Sequence, residues 1–581
     1  MKKKTLAIIF FFLCLVSLQT LKAADIKGKV ILSPKGEPFT EGIVLLKPLE
    51  EEYFSETALD LEGNFIYRDL KPGKYIIKMD LYELTPFGEE GVEIEIKDKA
   101  ETLELNFTIS LSLLDKILIF ITKASDFMWG YWMIALLLGT GILLTYLTRL
   151  IQIRRLILSL KMALRGAVGK DKPDKKEEGD ISPYAALMTA LAATVGNGNI
   201  AGVATAIAVG GPGAPVWMWI AGIFGMATKY AEGFLGVRFR IKNIRGEMSG
   251  GPMYYARNGI KNEHLAKFMG MFFAICGAVA CLLGTGNMMQ SNSMALVFNR
   301  EFQIPFWISG LVITGIVGAV ILGGIKRIGL VSERLVPTMI ILYFGGAIII
   351  ILAKITNLPA ALTTIFTSAF SVKAVGGGMV GVTIKLAISQ GIRRGLLSNE
   401  SGLGSAGIAQ SASKSKDPSR NGLIAMTGTF IDTLVVNTLT TLTIVITGSY
   451  LKTAAYGDPR ALTSTALTAD AFSSVIPFGG YIIALCSFLF GYSTLLGWCY
   501  YGEKCLEYIL GVRIIYPYRI AFIILLFIGS IIQGPHRYIV WYIGDVANAF
   551  MAFPNLLSLL LLAGLVGKVT TKYFYEKKRE I

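Results

Sequence analysis

The chain has 581 residues, 53% of them hydrophobic and 17% charged, against about 25% charged in soluble proteins, so most of it is built for lipid. Its net charge of +15 does not mark a nucleic-acid partner: residues 25–104 carry a local net of −9, and the remaining +24 lies mostly in short loops between apolar runs, where it reads as membrane orientation. Two histidines (His264, His536) and six cysteines without a C-x-x-C pair leave no material for a histidine metal centre, a His-based triad, a zinc site or a disulfide framework, and no enzyme is expected.

Residues 1–24 join a basic start (Lys2, Lys3, Lys4) to an apolar stretch from Leu6 to Leu18 and the small residues Ala23 and Ala24. That is a secretory signal peptide or, alternatively, an uncleaved anchor. Residues 25–108 change character: short β-rich runs (Lys29–Leu32, Ile43–Leu46, Asn64–Tyr67, Tyr75–Met79) alternate with turn formers, and Val92–Ile96 repeats with period two. The spacing predicts a small extracytoplasmic β-sandwich. Leu61-Glu62-Gly63-Asn64-Phe65, followed by Leu70-Lys71-Pro72-Gly73-Lys74-Tyr75, resembles the carboxypeptidase-regulatory-like or immunoglobulin-like modules of exported proteins, either as a spacer or as a ligand-binding module. An amphipathic linker, 109–127, leads into a membrane domain, 128–581.

Eleven apolar segments follow: 128–148, 183–209, 214–238, 265–297, 304–324, 331–354, 376–410, 420–449, 473–500, 516–534 and 537–567. Each can cross a hydrocarbon core that needs about 20 residues. Arg149, Arg154, Arg238, Lys326, Arg393 and Arg394 are read on one set of loops, and the tail adds Lys577, Lys578 and Arg579. Positive-inside logic puts that side, with the C-terminus, in the cytoplasm. Eleven crossings then leave the N-terminus outside a cytoplasmic (inner) membrane.

Two segments are not ordinary lipid-facing helices. In Ala192-Ala193-Thr194-Val195-Gly196-Asn197-Gly198-Asn199-Ile200-Ala201-Gly202, three glycines and two asparagines should unwind the helix at mid-membrane. Unwound backbone at that depth is tolerated only in protein or beside a cavity. The second runs from Gly376-Gly377-Gly378 through Arg394-Gly395-Leu396-Leu397-Ser398-Asn399-Glu400-Ser401-Gly402. They head two consecutive five-helix sets, 183–354 and 376–567, and paired interruptions of this kind point to a transporter site at a repeat interface. The competing reading of each is close helix packing through small residues.

Val195-Gly196-Asn197-Gly198-Asn199-Ile200-Ala201-Gly202, Gly250-Gly251-Pro252-Met253-Tyr254-Tyr255, Arg394-Gly395-Leu396-Leu397-Ser398-Asn399-Glu400, Phe430-Ile431-Asp432-Thr433 and Leu496-Gly497-Trp498-Cys499-Tyr500-Tyr501-Gly502-Glu503 resemble, in order, the alanine/glycine:cation symporter family. The resemblance runs from about residue 115 to 575. It implies an all-α polytopic fold of the leucine-transporter type, with two inverted five-helix repeats and one peripheral helix. It also implies sodium-coupled uptake of a small neutral amino acid such as alanine or glycine, with sodium co-transported and no other cofactor. Where the family carries threonine, phenylalanine, alanine and histidine, this chain has Asn197, Leu397, Ser401 and Gln410.

On that resemblance, the N–H groups around Asn197, Gly198 and Asn199 take the substrate carboxylate, as unpaired donors at a half-helix start can. Carbonyls near Thr194 and Gly196, with the hydroxyls of Ser493 and Thr494, supply oxygen ligands for sodium; the alternative for both hydroxyls is a bond to a carbonyl one turn back. Thr494 and Trp498 share a helix face, the indole walling the substrate side chain or simply packing. Gln290 accepts from the substrate ammonium through its amide oxygen, and Leu397 and Ser401 line the pocket. Lys229 and Glu232, three apart, are expected to pair; Asp432 either hydrogen-bonds a broken helix or carries a proton. The alternative to a symporter is a transceptor, whose external sandwich binds a partner.

Overall fold

The computed structural model describes residues 24–32, 37–39, 43–49, 55–60, 62–80, 92–97, 102–109, 111–168, 177–370, 384–453, 462, 464–533 and 537–577. Residues 1–23 of the expected signal peptide, the Gly376-Gly377-Gly378 start of the second interrupted segment, His536 and the tail cations Lys578 and Arg579 lie outside these residues. The chain divides into two compact units, one containing residues up to Ile119 and the other beginning at Phe120.

The first unit is built of strands β1 (Ala24–Leu32), β2 (Glu37–Pro38), β3 (Ile43–Pro48), β4 (Ser55–Ala58), β5 (Asn64–Leu70), β6 (Gly73–Asp80), β7 (Val92–Ile96) and β8 (Thr102–Ile109). In one four-stranded sheet β1 pairs antiparallel with β2 and β5 and parallel with β8. The other runs β4-β3-β6-β7, all antiparallel. Alternation selects the buried face: Tyr75, Ile77 and Met79 are buried, as are Ile26 and Val30. Gly28, between those two, faces Phe65 on one neighbour and Leu105 on the other; an added Cβ would lie 2.2 Å from the Phe65 ring. The Tyr67 hydroxyl on β5 donates to the Val44 carbonyl on β3 at 2.6 Å, joining the two sheets. Ahead of β5, Asp60 accepts from the N–H and the side-chain amide of Asn64 and from the N–H of Glu62, which holds its carboxyl below the ordinary carboxylate range.

In the described residues seven helices are long and apolar enough to cross a membrane: Leu113–Leu147, Glu263–Phe302, Gly324–Ala353, Pro418–Ile446, Gly479–Leu510, Val512–Ile531 and Ile539–Phe574. The pair Pro183–Thr194 and Gly198–Gly210, bent by 48° at its break, is long and apolar enough when taken together. The three remaining expected segments coincide with helix Ala214–Arg238, the shorter apolar helix Phe306–Ile321, and the interrupted pair Ile384–Asn399 and Ser405–Ser411. Residues read as a linker form most of helix Leu113–Met128. Local chemistry fixes several starts: Ser182, Asn262 and Asp417 each accept a backbone N–H in the first turn of their helices, and proline follows Ser182 and Asp417.

Helix Ala214–Arg238 is buried along most of its length. Its glycines let neighbours approach closely: an added Cβ would strike Thr433 at Gly222, Ser401 at Gly225, Ala425 at Gly233 and Gly407 at Gly236. One reading from the sequence needs correction. Arg393 and Arg394, counted as loop charges, lie inside helix Ile384–Asn399, which runs on past them to Asn399. Arg393 donates to Asp545 (3.0 Å) and Ser125 (2.9 Å), so it reports side-chain pairing and not the sidedness of a loop.

Candidate functional site

The first interruption starts where helix Pro183–Thr194 ends and Val195 leaves helical geometry, at φ −75° and ψ 87°. A π-helical turn, Gly198–Gly202, then restarts the span, the wide turn that small residues allow. Asn199 closes the gap: its side-chain oxygen accepts the Gly196 N–H at 2.9 Å, and its own N–H donates to the Gly196 carbonyl at 3.0 Å. Helix Gly479–Leu510 presses on the break, since a Cβ at Gly196 would fall 2.5 Å from the Thr494 hydroxyl oxygen. At Gly202 an added Cβ would meet nothing within 4 Å among the described residues, so the restarted turn is open on that side to them.

The second interruption follows Asn399. Glu400, Gly402 and Gly404 all take positive φ (55°, 97° and 82°), which turns the chain out of the helix before Ser405–Ser411 resumes it. Leu397 and Ser401, both expected to line the pocket, therefore do not lie on one continuous helix. Leu397 stays half-buried in the helix, while the Ser401 hydroxyl shares a hydrogen bond with Thr429 at 3.0 Å. Lys229 and Glu232 do not pair with each other as expected; both engage this second break. Lys229 Nζ donates to the Asn399 carbonyl at 2.8 Å, and Glu232 Oε1 accepts the N–H groups of Gly402 (2.9 Å) and Gly404 (3.0 Å). The backbone groups left unpaired by the break outcompete the neighbouring side chain.

A polar network joins the two interrupted spans. Asn199 Nδ2 donates to Asp432 Oδ1 at 2.7 Å and to Asn437 Oδ1 at 2.8 Å. The same carboxylate accepts from Ser398, at the end of the second span's first half, at 3.0 Å, and from Thr433 at 2.8 Å. Asn437 Nδ2 reaches the Ser398 hydroxyl at 3.2 Å, and Thr440 donates to the Asn199 carbonyl at 2.8 Å. Asn199, Asp432, Asn437 and Thr440 are all fully buried. The hydrogen bond between Asp432 and a broken helix, one of its two expected roles, is present.

The remaining expected residues divide. Asn197 is drawn into a side-chain trio: its oxygen accepts from Ser487 at 2.6 Å, and its nitrogen donates to Gln290 Oε1 at 3.3 Å. One lone pair of the Gln290 oxygen is thus engaged. Gly198 packs on Ser398, with 3.4 Å between its added Cβ and the Ser398 Cα. Thr494 donates to the Phe490 carbonyl (2.8 Å) and sits 3.4 Å from the Ala193 carbonyl, so it touches the first break. Thr194 and Ser493 direct their hydroxyl protons to carbonyls of their own helices, Ala190 and Phe490. Trp498 is 1% exposed, donates to Glu400 Oε1 at 2.8 Å, and packs on Gly286 and edge-on to Tyr501.

The sequence reading missed Ser398 as a ligand of Asp432, and also Asn437, Thr440, Ser487 and Asn555, whose amide donates to Glu232 Oε1 at 2.9 Å. Asn437 carried a signal, an amide inside an apolar run five residues after Asp432. The others are hydroxyl and amide groups whose partners lie far away in the chain.

The sequence pattern of the sodium:alanine symporter family matches residues 114–581, leaving the strands before them outside the match. The chain is similar to the sodium/alanine symporter AgcS of Methanococcus maripaludis, with 45% identity over 460 residues, 79% of this chain and 98% of that protein. It is also similar to the probable sodium/glutamine symporter GlnT of Bacillus subtilis, at 34% identity over 78% of this chain and 90% of that one. Among solved structures, a manganese transporter of Eremococcus coleocola matches 69% of this chain and 90% of its own, at 14% identity and a TM-score of 0.45. A match over most of the chain, on the segments that form both interruptions, makes this multi-pass membrane protein a member of the sodium:alanine symporter family.

Proposed function

We propose that the protein is a secondary active transporter that carries a small neutral amino acid into the cell together with sodium, by alternating access. The observation that carries this reading is the bonding of Asn199, Asp432 and Ser398, which ties one interrupted span to the other where both have released backbone groups. Such groups bind an amino acid and a hard cation without a charged side chain for each. The similarity to sodium/alanine and sodium/glutamine symporters supports the substrate class and the coupling ion.

In this reading the eleven segments form two inverted five-helix repeats and a peripheral helix, with the C-terminus in the cytoplasm. The two sheets form an extracytoplasmic sandwich behind a signal peptide. The N–H groups at Asn197 and Gly198 hold the carboxylate, while the Asn199 N–H stays on the Gly196 carbonyl and shapes the break. Gln290 Oε1, which keeps a second lone pair beside its bond from Asn197, takes the ammonium. Thr194, Gly196, Ser493 and Thr494 offer oxygens to sodium: a hydroxyl that donates to a carbonyl still accepts a cation on its lone pairs. Trp498, held by Glu400, gives the pocket a rigid wall, with Leu397 and Ser401 on the second span. Radiolabelled alanine uptake into proteoliposomes tests the whole. Uptake that rises with an inward sodium gradient supports symport, and flux indifferent to the gradient removes it.

A further inference from the structure

We infer that Lys229 and Glu232 are positioning residues for transport, which set the width and direction of the second interruption and through it the affinity for substrate. The inference rests on the symport reading for its kinetic consequence. Its structural half stands on the hydrogen bonds alone.

A helix that stops in a membrane leaves carbonyls at its end and N–H groups at the restart, and lipid offers them no partners. Here one neighbouring helix supplies both. Lys229 and Glu232 lie three residues apart on a single stripe of Ala214–Arg238, 1% and 0% exposed. The cation meets the Asn399 carbonyl at the C-terminal, negative end of helix Ile384–Asn399. The left-handed turns at Gly402 and Gly404 aim two N–H groups at one carboxylate oxygen, Glu232 Oε1. Asn555 braces that oxygen at 2.9 Å and the Gly402 carbonyl at 2.7 Å, and it is itself held by Tyr255. On the other flank Glu400 accepts from Trp498 (2.8 Å) and Ser405 (2.5 Å).

Two buried charges are expensive in a bilayer, and neutral side chains could close a passive packing contact. The charges stand where the backbone is unpaired on the two sides of the break. Their spacing on an uninterrupted helix is a fixed ruler for the gap. If the gap changes, Leu397 and Ser398 move with the end of the helix, and Ser398 carries the bond to Asp432. The pair therefore acts on the substrate site without touching substrate.

The test uses the full-length protein in proteoliposomes, with uptake normalised to folded transporter and hydrogen exchange measured over residues 400–405. Glu232→Ala is expected to raise KM for alanine about tenfold or more and to speed exchange at the Gly402 and Gly404 amides by a similar factor, since the charge-assisted bonds to both amides are lost along with that to Asn555. Glu232→Gln keeps an accepting oxygen and stays within about threefold of wild type. Lys229→Met raises KM, and Lys229→Arg restores most of it. A folded Glu232→Ala protein with wild-type KM, or with unchanged exchange at both glycines, overturns the proposal; a fall in Tm and yield alone marks a merely structural role and overturns it equally. If the wild type shows no sodium-driven uptake, the symport reading fails, and exchange at Gly402 and Gly404 still decides whether the clamp exists.

Discussion

Asn199 donates to the Asp432 carboxylate at 2.7 Å across 233 residues of chain, and its own oxygen holds the Gly196 N–H three residues away. One side chain thus closes the first interruption locally and ties it to a distant helix. Exchanging donor and acceptor should expose how much transport depends on that tie. Asp432→Asn removes the charge and sets an amide against Asn199; hydrogen bonds to charged groups are worth roughly 1.5–3 kcal/mol, so sodium-driven uptake should fall about 10- to 100-fold. Asn199→Asp combined with Asp432→Asn should recover part of the loss, a coupling that a double-mutant cycle of uptake rates measures.

Gly196 and Gly202 predict opposite outcomes for the same added methyl group. At Gly196 it would lie 2.5 Å from the Thr494 oxygen, whereas at Gly202 no described residue lies within 4 Å. Gly196→Ala should cut uptake by about tenfold or more, while Gly202→Ala should stay within about twofold of wild type. Equal loss at both would mean that the space beside Gly202 is filled during transport.

Thr494, proposed above as a sodium ligand, touches the first break from a neighbouring helix. Thr494→Ala should raise the apparent KM for sodium about tenfold, the equivalent of one lost oxygen contact, with less effect on the amino acid; Thr494→Ser should keep the wild-type value. Sodium titration of alanine uptake reads both.

Trp498 separates wall from anchor. Trp498→Phe keeps an aromatic ring and loses the bond to Glu400, while Trp498→Ala loses both. The alanine variant should change the ranking of competing amino acids in an uptake-inhibition panel by severalfold and leave the sodium dependence nearly unchanged. A shift in sodium KM with no change in ranking would move the wall elsewhere.

The strands before residue 114 lie outside the family match. Removing residues 25–107, with 1–24 retained, should leave alanine flux per folded transporter within about twofold of wild type. Loss of flux in a folded, membrane-inserted deletion would make the strands part of the transport machinery and not an accessory.

Much of the scaffold was legible because its signals are local. Apolar runs, period-two alternation in β7, and glycine with asparagine inside an apolar run each act within a few residues. The second interruption was legible in place but not in shape. Four-residue spacing between Leu397 and Ser401 implies a shared face only if the helix continues, and the positive φ of Glu400 ends it. Lys229 and Glu232 misled in the same way, since three-residue spacing permits a pair without requiring one. Buried Asn399, Gly402 and Gly404 backbone groups were the stronger claimants.

What the sequence by itself determined is that this chain lives in a membrane, carries a β-rich segment ahead of it, and breaks two of its spans at glycine- and amide-rich points, because hydropathy, alternation and helix-breaking are properties of neighbouring residues. Only the tertiary structure decided which groups meet at those breaks: Asn199 with Asp432, Thr494 with Gly196, Lys229 and Glu232 with the second gap. A buried polar group takes whichever partner the packing brings within 3 Å, and in a chain folded back on itself this often that partner can lie hundreds of residues away.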